Sequence, residues 1–328
     1  MSDNNQNRNP IPTIPKRKRK ATSTRKCCPA EDRKMCEQLN LELIAELIEK
    51  YDKPKRARQL STLEAITAIM FMNQTGLSYR QMNNCTFLKN VGPDTLRKRF
   101  KVWVKLDIPR KVWHDITTFY MSEKLKIDET AFKNLFIDST MIKNDCGEDC
   151  VGRNPTDRGR KGSKISLCCS SDMVALGFSF TGANRHDITE VENVMNCIPA
   201  PLKNDNRRSN NLIADKAYAS ETVKKNLWNN MKLRLVRENK KTKKNTNPEP
   251  LSRQDQALIR KRFIIENFFG ALKKSYNRFR LRKERHLRNF KGMFYFAISM
   301  MSLSQMRLIM SDGTFKKLKN AQLSYDVI

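Results

Sequence analysis

A chain of 328 residues has room for one large domain and a smaller one, each with a core of its own. Its 64 Lys and Arg outnumber 34 Asp and Glu, a formal net charge of +30 that draws the chain to polyanions, of which nucleic acid is the usual one. Membrane attachment, the other use of positive charge, is not expected: no apolar segment opens the chain, and the greasiest late stretch, "MFYFAISMMSLSQMRLIM", carries Ser, Gln and Arg.

Residues 1–37 read as a disordered basic arm, rich in Asn, Pro, Thr, Lys and Arg with little to bury. Inside it, "PKRKRK" sets Lys16, Arg17, Lys18, Arg19 and Lys20 in a row behind a proline. Such a cluster fits the acidic groove of a nuclear-import receptor, which places the protein in the nucleus of a eukaryotic or viral host. In a bacterium the same run is a DNA-touching arm, and the protein is cytoplasmic and nucleoid-associated.

From 38 to 128 the periodicity is helical: "LNLELIAELIEK", "STLEAITAIMFMNQ" with Ser61 as its cap, "SYRQMNNC" after Gly76, and "PDTLRKRFKVWVKL". In the last of these Leu96, Phe100, Trp103 and Val104 share a face, and Arg97, Lys98, Lys101 and Lys105 share the next. A helix anchored by aromatics and lined with base suits a helix-turn-helix reader of DNA. An amphipathic helix in a uniformly basic protein gives the same pattern.

Beyond 129 the pattern turns to strands. "NLFIDST" is a short apolar run that ends in Asp138, "KISLCCSS" and "VALGFSFTG" form an antiparallel pair around Ser171 and Asp172, "NLIADKAY" runs into Asp215, and "KLRLVRE" is a fifth strand. Short helices at "DITEVENVMNCI" and "SETVKKNLWNN" separate them. A polar insert, 238–261, precedes the helix "RFIIENFFGALKK", and 311–328 reads as a C-terminal tail. The order describes an α/β domain over 129–310 with a mixed five-stranded sheet flanked by helices.

Nine cysteines, an odd number with two adjacent pairs, do not suit a disulfide framework and fit a reducing compartment. Cys146 and Cys150 form a C-x3-C without the second pair that a structural zinc site needs.

Three acids stand out by position. Asp138 and Asp215 each end an apolar strand, and ligands of α/β sheets collect at strand ends. Glu266 sits in the helix 262–274, where Ile264, Ile265, Phe268, Ala271 and Leu272 gather on one face and Arg262, Glu266 and Lys273 fall in a narrow stripe on the other. Phe263 and Phe269 flank that stripe at about 60° on either side. An Arg262/Glu266/Lys273 ion-pair ladder explains the stripe, as does a carboxylate aimed inward at a metal. Strand-end aspartates also serve as caps and turn formers. Three convergent carboxylates, by contrast, offer hard oxygen ligands to Mg²⁺ or Mn²⁺, and two such ions about 4 Å apart suit displacement at phosphorus.

Taken together, "TAIMFMNQTGLSYRQM", "TLRKRFKVW", "FIDST", "GRKGSKISL" followed by "FTGANRHD", "IADKAYAS" and "RFIIENFFGALK" resemble, in order, the motifs of DDE transposases of bacterial insertion sequences, groups four and five. The last fits the signature Y-x2-R-x3-E-x6-K at Arg262, Glu266 and Lys273, with Ile259 where the family has tyrosine. The resemblance runs from about residue 60 to 305. It implies an RNase H-like fold in which Asp138, Asp215 and Glu266 bind two divalent ions, Mg²⁺ or Mn²⁺. It also implies that Arg262 and Lys273 contact DNA or position the glutamate, and that the turn at His186 and Asp187 lies near the site. His186 also reads as a turn histidine with a structural hydrogen bond. Lys161 and Lys164, beside Gly159 and Gly162, suit a phosphate-facing loop or a solvated turn.

The implied reaction is hydrolysis at the end of a mobile element, followed by attack of the freed 3′ hydroxyl on target DNA. The implied partners are double-stranded terminal inverted repeats, target DNA and a second copy of the chain in a dimer. A domesticated transposase that binds nuclear DNA without cleaving it, or a stand-alone RNase H-like nuclease, fits the same acids.

Overall fold

The structure is a computed structural model describing residues 30–54, 58–84, 92–155, 157–199, 210–239 and 250–320. Its helical first part comprises α1 (Ala30–Tyr51), α2 (Thr62–Thr75), a 3-10 turn (Arg80–Asn84), α3 (Pro93–Lys105) and α4 (Ile108–Ile127). Ser61 caps α2 as its sequence requires: its hydroxyl accepts from Glu64 N–H, and the Glu64 carboxylate accepts in return from Ser61 N–H at 2.8 Å. Gly76 ends α2 in the left-handed region at φ 75°, where a side chain would strain the backbone.

In α3, Leu96, Phe100 and Trp103 are buried while Arg97, Lys98, Lys101 and Lys105 stay exposed, which is the division the heptad-like spacing dictates. Arg99, between them, is buried too. Its guanidinium donates to Leu60 O and to Thr62 Oγ1 and lies 5.0 Å from the Trp103 ring, and Trp103 Nε1 donates to Asp52 at 2.6 Å. The basic helix is thereby locked onto the elbow between α1 and α2.

The second part carries β1 (Asn134–Asn144), β2 (Gly152–Arg153), β3 (Lys161–Cys169), β4 (Ala175–Gly182), a 3-10 turn (Asp187–Glu190), α5 (Val191–Asn196) and β5 (Asn210–Ile213). After a 3-10 turn (Lys216–Tyr218) come α6 (Glu221–Met231), β6 (Leu233–Val236), α7 (Arg253–Arg260), α8 (Phe263–Ser275), a 3-10 turn (Asn277–Phe279), β7 (Leu281–Arg282), α9 (Leu287–Ile309) and α10 (Asp312–Asn320). Strand β1 is central. It pairs antiparallel with β3 on one side and parallel with β5 on the other; β6 continues the parallel half and β4 forms a hairpin with β3. This is the mixed sheet of five principal strands that the sequence led one to expect, with two additional two-residue strands, β2 and β7, at the ends of β3 and β1.

Helix α9 explains why its sequence is so apolar. It packs against α1, α2, α3 and α4, and also meets the sheet through Phe178 of β4, whose ring lies 4.8 Å from Phe294 and 5.1 Å from Trp113 of α4. At Gly292 a Cβ would fall 2.8 Å from Val104 and 3.0 Å from Phe100, so only glycine lets α9 approach α3 this closely. Polar ties follow the same seam, with Asn73 Nδ2 donating to Met293 O at 3.0 Å and Arg307 Nε to Asn40 Oδ1 at 2.6 Å. The change at residue 128 is one of element type, and the core runs through it. Among the described residues no helix is long and apolar enough to cross a membrane.

Several expected boundaries move. The arm expected to be disordered over 1–37 gives way to α1 at Ala30, because the helix is continuous with the buried face that Leu41, Leu43, Ile44 and Leu47 supply; Lys16, Arg17, Lys18, Arg19 and Lys20 lie outside the described residues. The insert 238–261 contains α7, which Ser252 caps by accepting from Asp255 N–H at 3.1 Å, while 240–249 lies outside the described residues. The tail expected over 311–328 begins with α10, held by buried Phe315 and Leu318.

One buried acid of the helical part makes stability depend on pH. Asp115 of α4 is 2% exposed, accepts from Tyr51 O–H at 2.7 Å, and its carboxyl is pushed up to about 6, chiefly by burial. Its folded value exceeds its unfolded one, so it costs stability when ionised above that range and nothing when protonated below the unfolded value. Relative to Asp115→Asn, the wild type is expected to lose up to about 3 kcal/mol between about pH 4 and about pH 7.5. Urea melts of both proteins at the two pH values check this; parallel curves would refute it.

Candidate active site

The register of β1 and β5 builds the site's floor. Phe136 pairs with Ile213 in parallel, so Asp138, within β1, and Asp215, in the turn after β5, each follow a paired residue by two positions, with about 4.8 Å between strand axes. Asp138 does not end its strand, as expected from the apolar run; β1 continues to Asn144 because its polar second half pairs with β3. Asp215 lies past the end of β5 and starts the 3-10 turn Lys216–Tyr218, accepting from Lys216 N–H at 2.7 Å.

Helix α8 supplies the third acid. Ile265, Phe268, Phe269 and Leu272 are buried, and Glu266 emerges from the first turn. Phe269 is the aromatic wall expected beside it, but Phe263 is 55% exposed at the site's edge. Arg262 joins the three acids: Nη2 lies 3.2 Å from Asp138 Oδ2 and 3.7 Å from Glu266 Oε1, and Nη1 lies 3.6 Å from Asp215 Oδ1. Side-chain exposure rises from 20% at Asp138 through 39% at Asp215 to 58% at Glu266, which makes Asp138 the floor and Glu266 the rim. Burial raises the Asp138 carboxyl above its ordinary value, against the pull of Ser139 N–H and Arg262, and nearby Asp187 adds to the rise. Among the described residues no three His, Cys, Asp or Glu side chains stand close enough to hold a metal ion; the group between the three acids is the Arg262 guanidinium.

Around these lies a supporting layer. Ser139 Oγ and Lys164 Nζ both donate to Asp187 Oδ1 at 2.7 Å, and Lys164 also donates to Arg185 O at 2.7 Å. Tyr218 is fully buried beside them, its phenol held well above the ordinary range by burial and by the charges of Asp187 and Asp138. Lys273 Nζ donates to Thr140 Oγ1 at 2.6 Å and to Met141 O at 3.0 Å, pinning α8 to β1 just past Asp138. Burial, with Arg280 nearby, lowers its ammonium below the usual lysine value.

Of the other residues singled out by sequence, His186 and Lys161 are exposed, Arg97 pairs with Asp94 at 3.0 Å, and Lys98, Lys101 and Lys105 are solvent-facing on α3. Cys146 Sγ donates to Lys283 O at 3.0 Å. Ile259, at the tyrosine position of the signature, lies half-buried on α7 against the core. Ser139, Thr140 and Tyr218 were not singled out, although each lies one to three residues from an acid within "FIDST" or "IADKAY".

Residues 132–301, just over half of the chain, match the transposase DDE domain. The chain belongs to that family. No curated protein matches it. Among solved structures, the fold is similar to a piggyBac transposase in a synaptic complex with hairpin DNA, at 12% identity and a TM-score of 0.45, covering 90% of this chain and 81% of that one. It is also similar to Mos1 in a pre-cleavage transpososome, at 8% identity and a TM-score of 0.30, over 84% and 83% of the two chains. The family assignment rests on the domain match, whose span takes in Asp138, Asp215 and Glu266.

The geometry of Lys273 in this DDE domain separates two roles. A phosphate contact, when lost, lowers the slope of log affinity against log salt by about one. Lys273→Met is instead expected to leave that slope unchanged and to cost about 1–3 kcal/mol of stability through the unpaired Thr140 and Met141 oxygens. DNA-binding titrations at several salt concentrations and urea melts check both; a shallower slope would make Lys273 a DNA contact.

Proposed function

We propose that the protein is a divalent-metal-dependent DNA transposase that hydrolyses a phosphodiester at the end of a mobile element and joins the freed 3′ hydroxyl to target DNA. The observation that carries this reading is the meeting of Asp138, Asp215 and Glu266, from β1, the turn after β5, and α8, around one cation inside the DDE domain. The donors fit the group that the family uses: they are hard carboxylate oxygens, the kind that select Mg²⁺ or Mn²⁺, and they already share a positive charge. When bound, two such ions supply charge stabilisation to the attacking and leaving oxygens.

The chain's own residues have distinct tasks. Asp138, Asp215 and Glu266 would hold the ions; Lys273 keeps α8 against β1; Asp187, bonded to Ser139 and Lys164, braces the strand beside Asp138. No covalent enzyme intermediate is needed, so no serine, tyrosine or cysteine is assigned as nucleophile. The exposed face of α3 with Arg97, Lys98, Lys101 and Lys105, together with Lys161, binds double-stranded DNA at terminal repeats and target. Two copies hold two ends, and in a eukaryotic or viral host residues 15–20 direct them to the nucleus.

The test is a supercoiled plasmid carrying the element's flanking repeats, incubated with Mg²⁺ and the full-length protein. Nicking by the wild type is expected to fall at least about a hundredfold in Asp138→Ala and Glu266→Gln, with DNA binding retained. Equal nicking by wild type and Asp138→Ala would exclude the three-acid site. Binding without nicking by the wild type would make the chain a non-cleaving DNA-binding protein.

A further inference from the structure

The pocket that the acids form already contains a cation supplied by the chain. Of the three contacts that Arg262 makes there, only the one to Asp138, at 3.2 Å, has hydrogen-bond length; those to Asp215 and Glu266 are 3.6 and 3.7 Å. Its Nε is buried with no hydrogen-bond partner among the described residues. A dedicated arginine–carboxylate pair is a parallel fork with two short bonds. Arg262 is spread over three acids and satisfies none of them in that way.

We propose that Arg262 is a built-in competitor for the metal site: its guanidinium holds the place between Asp138, Asp215 and Glu266 in the metal-free protein and must leave it for divalent ions to enter. The proposal rests on the metal-dependent reading above. It explains why three carboxylates from separate elements converge on a cation of the chain's own. One guanidinium against three carboxylates leaves two formal negative charges, enough to attract a divalent ion. Two divalent ions with the guanidinium still in place would set five positive charges against three negative ones at short range, so the third cation is expelled.

The fold permits the exchange. Arg262 is the residue before α8, outside its buried face, and its long side chain can swing while Ile265, Phe268 and Leu272 stay packed. Lys273 keeps the other end of the helix pinned to β1. Once displaced, the same fork is next to the acids and free for a phosphate oxygen. The trade exposes the acids to metal only when metal competes, and the guanidinium limits the repulsion among them until then.

The full-length protein without DNA is titrated with Mn²⁺, free ion being followed by electron paramagnetic resonance, and is melted in EDTA and in Mn²⁺. Arg262→Gln is expected to bind Mn²⁺ at least about tenfold more tightly than wild type, to melt lower in EDTA, and to gain more from Mn²⁺. Arg262→Lys, which keeps the charge without the fork, is expected to fall between them and carries the comparison if Arg262→Gln does not fold. Equal or weaker Mn²⁺ binding by the variants, with clear binding by the wild type that Asp138→Ala removes, would overturn the exchange and leave the metal site standing. Absence of Mn²⁺ binding in wild type and variants alike, or binding unaffected by Asp138→Ala, would overturn both.

Discussion

The parallel pairing of β1 with β5 is the constraint on which the site depends. With Phe136 opposite Ile213, the acids two positions further on, one within β1 and the other in the turn after β5, come within reach of one guanidinium. A slip of one residue would turn the buried side chains of β5 to the opposite face and shift the turn that carries Asp215 relative to Asp138. The register is held by burial on both sides: Leu135, Phe136 and Ile137 of β1 and Leu212 and Ile213 of β5 are all at 1% exposure or less. A polar pair adds to it, Asn211 Nδ2 donating to Asn134 Oδ1 at 2.9 Å where these two residues stand opposite each other. The carboxylates are thus positioned by apolar packing several residues away from them.

The same packing ties the basic helix to the acids. Helix α9 touches α3 at Gly292, meets β4 through Phe294, and runs against α1, α2 and α4. Arg278, buried between the two parts, donates to Met72 O and Leu77 O and pairs with Glu284. Under the proposed function, a helix that reads DNA and a pocket that cuts it must keep a fixed separation if cleavage is to fall at a fixed distance from the recognised sequence. A shared core supplies that separation without a linker. In a chain of +30, the acidic pocket is then a local reversal of sign, which lets the surface attract polyanion while the pocket attracts cations.

The sheet was legible in the sequence because its strands are short apolar runs with polar stops, and their length and flanking turn residues separate them from buried helix segments. The helix pattern of α2, α3 and α8 was legible for the matching reason. What escaped were elements whose apolar signal is small: the first turns of α1, α7 with its eight residues, and α10, which buries Phe315 and Leu318. The second half of β1 escaped because "STMIKN" owes its extended form to β3, a partner some twenty-five residues away at Thr140↔Ile165. In the site, the three acids could be read and their convergence could not. The contact of Arg262 with Asp138 spans 124 residues and has no local trace. Ser139, Thr140 and Tyr218 were hidden by their company, being ordinary polar neighbours of residues with a clearer signature.

Helix α8 shows how one helical stripe divides into different roles. Arg262, Glu266 and Lys273 share a face by spacing alone, and an ion-pair ladder would treat them as equals. The structure contains one rung of that ladder, Arg262 to Glu266 at 3.7 Å, too long to be a hydrogen bond. Lys273 turns to the backbone and hydroxyl of β1, where it is partly buried and fixed. Arg262 lies at the helix start, in contact with acids of two other elements and with its Nε unpaired. Position along the helix decides the difference: the later residue lies over the strand and becomes a fastening, while the first overhangs the gap between β1 and β5, where charge accumulates. Glu266 lies between them, carried by a helix that Lys273 fastens at one end while the cation at the other is shared among three acids.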